Sequence, residues 1–311
     1  MNEHLMNELV PAIDTMELEN ILRSDGVPVD MLNRCSHKYF HINRLEEYHR
    51  LAKIPLKSDS QPRRMNVYSF FYLTKGKSIR SNGFDSYEFG ENTFYFIPSY
   101  QISIFNSALK DVEGYYCHFT LELLTFVTAH YSLLTEFPFL EFNCYPLVKT
   151  SKEARGNIVN VLERLVQEYN ADAACRTDIL RIYLWSLFTE LKPFVEASKP
   201  PITNAANSIT EQYKKALANN IVQKNKISDY AEMLNITPNH LNKCVKQTTN
   251  KSARDLLEEM LLLEAKVLLK QTNLTISEIA FRIGRNELSD FTRFFKTKTG
   301  LTPSDYRVHK I

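Results

Sequence analysis

The chain has 311 residues, which leaves room for about two domains of typical size, each with a core of its own. Hydrophobic residues make up 44% and charged residues 24% of it, which is ordinary for a soluble globular protein and too apolar for a disordered one. No apolar run approaches the roughly 18 residues that a membrane-spanning helix needs. Met1–Glu8 has no apolar stretch, so no secretory signal is predicted and the cytoplasm is the expected compartment.

The net charge of +2 conceals an uneven distribution. Residues 212–311 carry 17 Lys and Arg against 10 Asp and Glu, a net charge of +7. The residues before them carry 21 basic and 26 acidic side chains, a net charge of −5. A basic final third behind an acidic body favours a polyanionic partner for that third.

The cysteines are odd in number, widely separated and lack any Cys-x-x-Cys pair. This pattern argues against both a disulfide framework and a zinc finger. We therefore predict that they are small buried apolar side chains. They are Cys35, Cys117, Cys144, Cys175 and Cys244.

Short β-strands are predicted between Val67 and Phe119, because aromatic and β-branched residues alternate there with turn residues. Asn82-Gly83 is a hairpin signal, since both residues tolerate the positive φ of tight loops. Strands at such close spacing are typical of a sandwich or a small barrel. The predicted strands are Val67–Leu73, Tyr87–Phe89, Thr93–Ile97, Ile102–Phe105 and Gly114–Phe119.

Helical periodicity begins at about residue 151. Apolar residues keep to one helical face over about 151–169 and again over about 178–195. The Pro- and Asn-rich stretch 199–207 predicts a linker. We therefore expect a first domain over 1–198 and a helical domain over 208–311.

The helical domain contains an internal repeat. Ser228–Ala231 aligns with Ser277–Ala280 at a separation of 49 residues, and Leu241–Lys246 aligns with Phe291–Lys296 at a separation of 50. A period near 50 that occurs twice indicates a duplicated module rather than a solenoid.

Each copy has the parts of a helix-turn-helix. In the second copy, Thr275 and Glu278 form a capping-box pattern, Gly284 suits the sharp turn, and a new helix is expected from near Asn286 through Lys296. In the first copy, Asn235 occupies the turn, and Thr237-Pro238 is a cap followed by proline at the first helical position.

Helical spacing assigns the two faces of each second helix. Leu241, Cys244 and Val245 should pack inward, as should Phe291, Phe294 and Phe295. The opposite faces carry amides, hydroxyls and cations, which are the groups that read base edges and neutralise phosphates. The predicted DNA-binding residues are Asn239, Asn242, Lys243, Lys246, Ser289, Thr292, Arg293 and Lys296.

A long helix is predicted between the two modules, over about Ala253–Lys270. At roughly 1.5 Å per residue it spans about 27 Å, close to the roughly 34 Å between successive major grooves on one side of B-DNA. The connector could therefore set both second helices into adjacent grooves of a single duplex.

The order of these motifs resembles the DNA-binding domain of AraC/XylS-type bacterial transcription regulators. The resemblance covers about 100 residues and includes Glu264–Leu269, Thr275–Ala280, Phe291–Lys296 and Gly300–Arg307. It implies an all-α domain of two helix-turn-helix subdomains joined by a long helix. Its usual base-facing positions fall on most of the residues predicted above, with Leu288 beside them. Arg285 stands where the family usually has Phe, which implies either a lost aromatic anchor or a gained phosphate contact.

The amino-terminal half resembles, more loosely, the cupin-like antiparallel β-barrel with flanking helices of such regulators, so the expected fold class is α+β. Gly76–Pro98 has the turn and strand rhythm of that fold. Metal-dependent cupins need clustered His and carboxylate ligands. No His lies between His49 and His118, and His118 is expected to be a hydrogen-bonded strand histidine. We therefore predict no metal, no cofactor and no catalytic residues, and we assign no pocket residues.

These features predict a sequence-specific DNA-binding transcription regulator that is not an enzyme. Its expected partners are double-stranded DNA, a small-molecule effector in the barrel, a second copy in a homodimer and RNA polymerase, with no membrane. One alternative is a regulator without a ligand, whose barrel serves only dimerisation. A more distant alternative is a metal-dependent cupin enzyme. The effector, the operator and the direction of regulation stay open.

Overall fold

The computed structural model describes residues 12, 40–47, 61–105, 112–124, 130–171, 177–200 and 204–308. Cys35, Cys175 and the predicted absence of a signal over residues 1–8 lie outside that part. The described strands are β1 Phe40–Arg44, β2 Arg63–Arg64, β3 Tyr68–Lys75, β4 Lys77–Asn82, β5 Asp85–Gly90, β6 Thr93–Ile97, β7 Ile102–Phe105, β8 Glu113–Phe119 and β9 Leu147–Lys149.

These strands form two antiparallel sheets, so the predicted antiparallel β-fold is confirmed, but the described strands do not close into a barrel. One sheet has the order β1-β8-β3-β6-β9 and the other has the order β2-β7-β4-β5. An apolar cluster with members from both sheets, including Phe71, Tyr95 and Phe89, joins them face to face. We call this unit the β-sandwich and its facing surfaces the inner faces.

The predicted hairpin lies between β4 and β5, one residue later than the Asn-Gly signal suggests. Asn82 pairs with Asp85, so the two loop residues are Gly83 and Phe84. Gly83 has φ +61, whereas Asn82 is not among the residues of positive φ. A positive φ at the first loop position, filled by Gly, is the requirement of a type II′ turn, which matches the twist of the flanking strands.

Helices cover the outer face of the five-stranded sheet. They are α1 His130–Glu136, α2 Arg155–Asn170 and α3 Thr177–Ser198, so the two helices predicted over 151–195 are confirmed, with α2 starting a turn later. Alternate residues of the sheet, among them Phe70, Phe94 and Phe96, form the largest core with Leu162 of α2 and Phe188 of α3. The β-sandwich therefore has a helix-covered face and an inner face.

The rest of the described chain is a helical domain with a separate core. Its helices are α4 Ala205–Asn220, α5 Ile227–Met233, α6 Pro238–Thr249, α7 Ala253–Gln271, α8 Ile276–Arg282, α9 Leu288–Thr299 and α10 Pro303–Val308. Helix α4 begins within the stretch predicted as linker, where the Asn204 side chain accepts a hydrogen bond from the Asn207 amide. No described helix is long and apolar enough to cross a membrane.

A buried ion pair joins the two domains. The guanidinium of Arg64 in β2 donates to both carboxylate oxygens of Glu264 in α7, at 3.2 and 2.5 Å, and both side chains are almost fully buried. The Gln271 side chain also bonds to the backbone N–H and C=O of Arg64. A second ion pair joins Lys214 of α4 to Asp85 of β5, with 2.7 Å between Lys214 Nζ and Asp85 Oδ1. Removal of either Arg64 or Glu264 alone would leave the other charge buried and uncompensated, which is costly.

Candidate nucleic-acid interface

The first module, α5 and α6, has the local structure that its sequence predicts. Asn235 turns the chain with φ +53, and the Thr237 side chain accepts from the His240 amide to cap α6, with Pro238 in the first turn. Helix α6 ends at Asn250 in the left-handed conformation, φ +58. Asn is one of the few residues with a side chain that adopts this conformation at low cost.

The second module, α8 and α9, repeats this plan. The Thr275 side chain accepts from the Glu278 amide while the Glu278 carboxylate accepts from the Thr275 amide, which confirms the capping box. Gly284 makes the turn with φ +74, and Gly300 ends α9 with φ +79. Helix α9 begins at Leu288, two residues after the predicted start.

The predicted inward faces of α6 and α9 are confirmed. The first is formed by Leu241, Cys244 and Val245, which are at most 5% exposed, and the second by Phe291, Phe294 and Phe295, which are at most 9% exposed. Both rows join one core that includes α7. The opposite face of each helix is therefore turned outward by packing rather than by chance.

The outward face of α6 carries all four residues predicted for it. Asn239, Asn242, Lys243 and Lys246 are exposed. The Asn242 side-chain oxygen accepts a hydrogen bond from the Ala253 amide at 3.1 Å, so it also caps the first turn of α7. This second role was not foreseen, because it depends on how α6 and α7 meet.

The outward face of α9 carries the other four. Ser289, Arg293 and Lys296 are exposed and Thr292 is half-buried. Together with Glu287 and Leu288 they line one open depression of about 800 Å³. Leu288 is 46% exposed at the start of the helix, which leaves an apolar contact among cations and hydroxyls. Such a surface offers groups for phosphates, base edges and a thymine methyl.

Asp290 links two arginines on this surface, a feature that sequence reasoning missed. Its carboxylate accepts from Arg285 at 2.7 Å and from Arg293 at 3.1 Å, and these bonds hold the pKa of the carboxyl below its usual value. The Arg285 guanidinium also lies 4.5 Å from the centre of the Phe294 ring. Arg285 stands where the sequence resemblance implies a Phe, and its guanidinium packs on the Phe294 ring of the core instead.

Helix α7 and a tight glycine contact fix the two modules relative to each other. The buried residues of α7 include Leu256, Met260 and Leu268, which belong to the core shared by both modules. A Cβ on Gly284 would lie 1.8 Å from the Asn225 side-chain nitrogen, so any other residue at this turn would displace the Asn225 side chain in the loop before α5. The 19 residues of α7 span about 28 Å at 1.5 Å each.

The described residues contain no group of three or more His, Cys, Asp or Glu placed to hold a metal ion. His118 lies in β8, as predicted, and stacks on the His41 ring at 5.0 Å. The expectation that it is hydrogen-bonded is wrong at Nδ1, which makes no hydrogen bond within the described part. Burial lowers the pKa of both imidazoles, that of His41 to about 4. Cys117 and Cys244 are free and buried, whereas Cys144 is free and half-buried.

Comparison with known proteins bears directly on the helical domain. A family model described as "Helix-turn-helix domain" matches residues 230–309, from within α5 to just past α10. The helical domain is an AraC-type helix-turn-helix domain. The match covers both helices that carry the predicted DNA-binding residues, and with them the connecting helix α7.

Relatives of this AraC-type domain are named as transcription regulators. The chain is 23% identical over 162 residues to the HTH-type transcriptional activator RhaR of Enterobacter sp. (strain 638), which is 52% of this chain and 57% of that one. It is 34% identical over 105 residues to the transcriptional activator RhrA of Rhizobium meliloti (strain 1021), about a third of each chain. The chain therefore spans little more than half the length of these relatives, or less.

A solved structure also aligns with both domains. ToxT from Vibrio cholerae O395 is 18% identical, with 87% of this chain and 97% of that chain covered and a TM-score of 0.41.

Proposed function

We propose that this protein is a sequence-specific DNA-binding transcription regulator without catalytic activity, and that it acts in the cytoplasm on double-stranded DNA. The observation that carries the proposal is the pair of outward faces on α6 and α9. Each is held by a buried apolar row, carries amides or hydroxyls beside cations, and is joined to the other through α7. The names of RhaR and RhrA favour activation. An activator of transcription would have RNA polymerase as a further partner.

Binding to DNA would have two components. Lys243, Lys246 and Lys296 would neutralise phosphates, which gives affinity that falls as salt rises. Arg293, Asn239 and Thr292 would read base edges in two successive major grooves. A homodimer would double the number of half-sites that one assembly reads.

The test is selection of genomic fragments by the full-length protein, followed by titration of the best fragment and of a random duplex at several salt concentrations. We expect one fragment to bind at least 10³-fold tighter than random DNA, as specific regulators do. Affinity for both duplexes should fall with salt. Equal affinity for all fragments would disprove the proposal of sequence-specific regulation. Absence of binding at low salt would disprove DNA binding altogether.

We further propose that a small-molecule effector in the β-sandwich modulates DNA binding. Support comes from the interdomain contacts, because Arg64 lies in the same sheet as β4 and β5 and is bonded to Glu264 of the connecting helix. A ligand that shifts this sheet would also shift α7 through the contact between Arg64 and Glu264. The ligand must then bind two arrangements of the domains with different affinity. An effector must raise the melting temperature of the protein. A regulator whose sandwich serves only dimerisation would show no such rise.

A further inference from the structure

The inner faces of the β-sandwich carry polar side chains as well as apolar ones. Strand register places Phe71 opposite both Tyr95 and Tyr116, and Ser69 opposite His118. Residues opposite each other in a sheet share a face, so all of them point toward the second sheet along with Phe71. In that second sheet, Ser78, Arg80 and Asn82 alternate along β4 and are buried.

Five of these buried groups make no hydrogen bond with any described residue. Their side chains are between 0 and 9% exposed. Buried donors and acceptors are nearly always paired with protein, water or a ligand, because leaving them unpaired costs free energy. Five such atoms on the facing inner surfaces of the β-sandwich indicate a common missing partner. The atoms are Ser69 Oγ, Ser78 Oγ, Asn82 Oδ1, the Tyr95 hydroxyl and His118 Nδ1.

Arg80 places a charge at the centre of this set. It is 1% exposed, it lies between Ser78 and Asn82 on the same face of β4, and its guanidinium stacks on the Phe71 ring at 4.0 Å. Burial lowers its pKa to about 9, and the Tyr95 and Tyr116 phenols act on it electrostatically. A guanidinium removed from water gains most from an anion, and its N–H groups match the oxygens of a carboxylate or phosphate.

We infer that the inner faces form a binding site for a small organic anion. Arg80 binds its carboxylate or phosphate oxygens, and the hydroxyls of Tyr95 and Ser78 donate further hydrogen bonds to the ligand. The rings of Phe71, Phe89 and Tyr116 supply apolar contacts for its carbon skeleton. This assignment deepens the proposed effector function and depends on it, since it names the chemical class of the effector.

The first test measures thermal unfolding of the full-length protein in a phosphate-free buffer. The probes are glucose 6-phosphate, succinate and benzoate, each against its neutral counterpart, which is glucose, succinamide or benzamide, at matched ionic strength. We expect at least one anion to raise Tm with a saturable dependence on concentration, while its counterpart does not. The inference is overturned if no anion raises Tm, or if a neutral counterpart raises it equally.

Variants locate the site. Arg80→Met should weaken binding of the active anion by about tenfold or more, because the charge is lost while apolar volume is kept. Tyr95→Phe should weaken it by about two- to tenfold and should raise Tm without ligand, since a buried hydroxyl without a partner is removed. If Arg80→Met fails to fold, the anion affinity of Tyr95→Phe tests whether the anion binds at the inner faces.

Tyr72→Phe is the matched control. Tyr72 lies on the outer face of the same sheet, where its hydroxyl is 3.5 Å from Asn92 Oδ1. This variant should keep anion affinity within about twofold of the original value, because it leaves the inner face unchanged. Unchanged affinity in Tyr95→Phe, or an equal loss in Tyr72→Phe, would overturn the site assignment.

DNA binding without ligand separates this inference from the proposed function. A protein that binds its selected fragment but no anion disproves only the anion site. A protein that binds the anion through Arg80 but no DNA retains the site and loses the proposed regulation.

Discussion

The two helix-turn-helix modules share their backbone plan more closely than their side chains. Asn235 and Gly284 make the turns 49 residues apart, and Asn250 and Gly300 end the second helices 50 residues apart, all with positive φ. The buried rows differ, since the first is aliphatic with a thiol and the second is three phenylalanines. Positive φ therefore favours Gly or Asn at these points, because both adopt it at low cost, whereas the core accepts any apolar set that fills its volume.

The modules also differ in how tightly their turns are packed. Asn235 is exposed, while Gly284 touches the Asn225 side chain from the loop before α5. The second turn thus serves two purposes, because it reverses the chain and contacts the first module. The following substitutions break or sharpen this comparison, from the largest expected effect to the smallest.

Removing a core side chain should cost more in the second module than in the first. Phe291→Ala should lower the free energy of unfolding by about 3–5 kcal/mol. Leu241→Ala should lower it by about 2–5 kcal/mol and by less than Phe291→Ala does, because the phenylalanine ring makes more buried contacts than the leucine side chain. Urea unfolding followed by far-UV circular dichroism measures both. A larger loss for Leu241→Ala would mean that the first module, not the second, anchors the core around α7.

Gly284→Ala tests whether the second turn needs more than a positive φ. The backbone alone should cost about 1–3 kcal/mol of unfolding free energy, and displacement of Asn225 adds to it. Gly300→Ala meets nothing within 4 Å and should show the backbone cost only. Gly156→Ala in α2 is the control, and it should be neutral or slightly stabilising. Equal losses of unfolding free energy in Gly284→Ala and Gly300→Ala would show that the contact with Asn225 does not contribute.

Arg293→Ala and Lys243→Ala compare the outward faces at equivalent positions of the repeat. Arg293→Ala should lower affinity for the selected fragment by about 1–3 kcal/mol and leave random DNA almost unchanged, as bidentate contact with a guanine requires. Lys243→Ala should weaken binding to both duplexes alike. It should also reduce the slope of log affinity against log salt concentration by about 1. Fluorescence anisotropy titrations measure each. Equal losses on both duplexes for Arg293→Ala would make it a phosphate contact.

The helix caps should give the smallest difference. Thr237→Ala and Thr275→Ala should each cost about 1 kcal/mol of unfolding free energy at neutral pH. Hydrogen bonds from Thr275 hold the pKa of the Glu278 carboxyl below its usual value. Such a group adds stability above its unfolded pKa, near 4.3, which is lost as pH falls.

Only the Thr275 cap should therefore contribute less at acid pH, since the Thr237 cap has no carboxylate partner. Urea unfolding of both variants at pH 7 and pH 4 measures this. An effect of Thr275→Ala that is the same at both pH values would show that Glu278 adds nothing to its cap.

Much of the helical domain could be predicted because its signals are local. The Thr275 capping box, the Thr237-Pro238 start and the inward row Phe291, Phe294 and Phe295 each depend on residues three or four apart. In the β-sandwich, five of the nine described strands were predicted, whereas β1, β2, β4 and β9 were not, and neither was the failure of the sheets to close. Whether two sheets join at their edges depends on pairing between distant strands, and the described strands remain two sheets.

The sequence by itself determined which segments are helices, to within about one turn at their ends, which of their faces are buried, and that the module occurs twice. These properties depend on residues within one or two helical turns of each other. Only the tertiary structure decided that Arg64 pairs with Glu264 across 200 residues, that Arg285 packs on Phe294, and that Arg80 lies buried beside the Phe71 ring. Charged side chains are placed by the partner that compensates their loss of water, and that partner is chosen by the packing of distant elements.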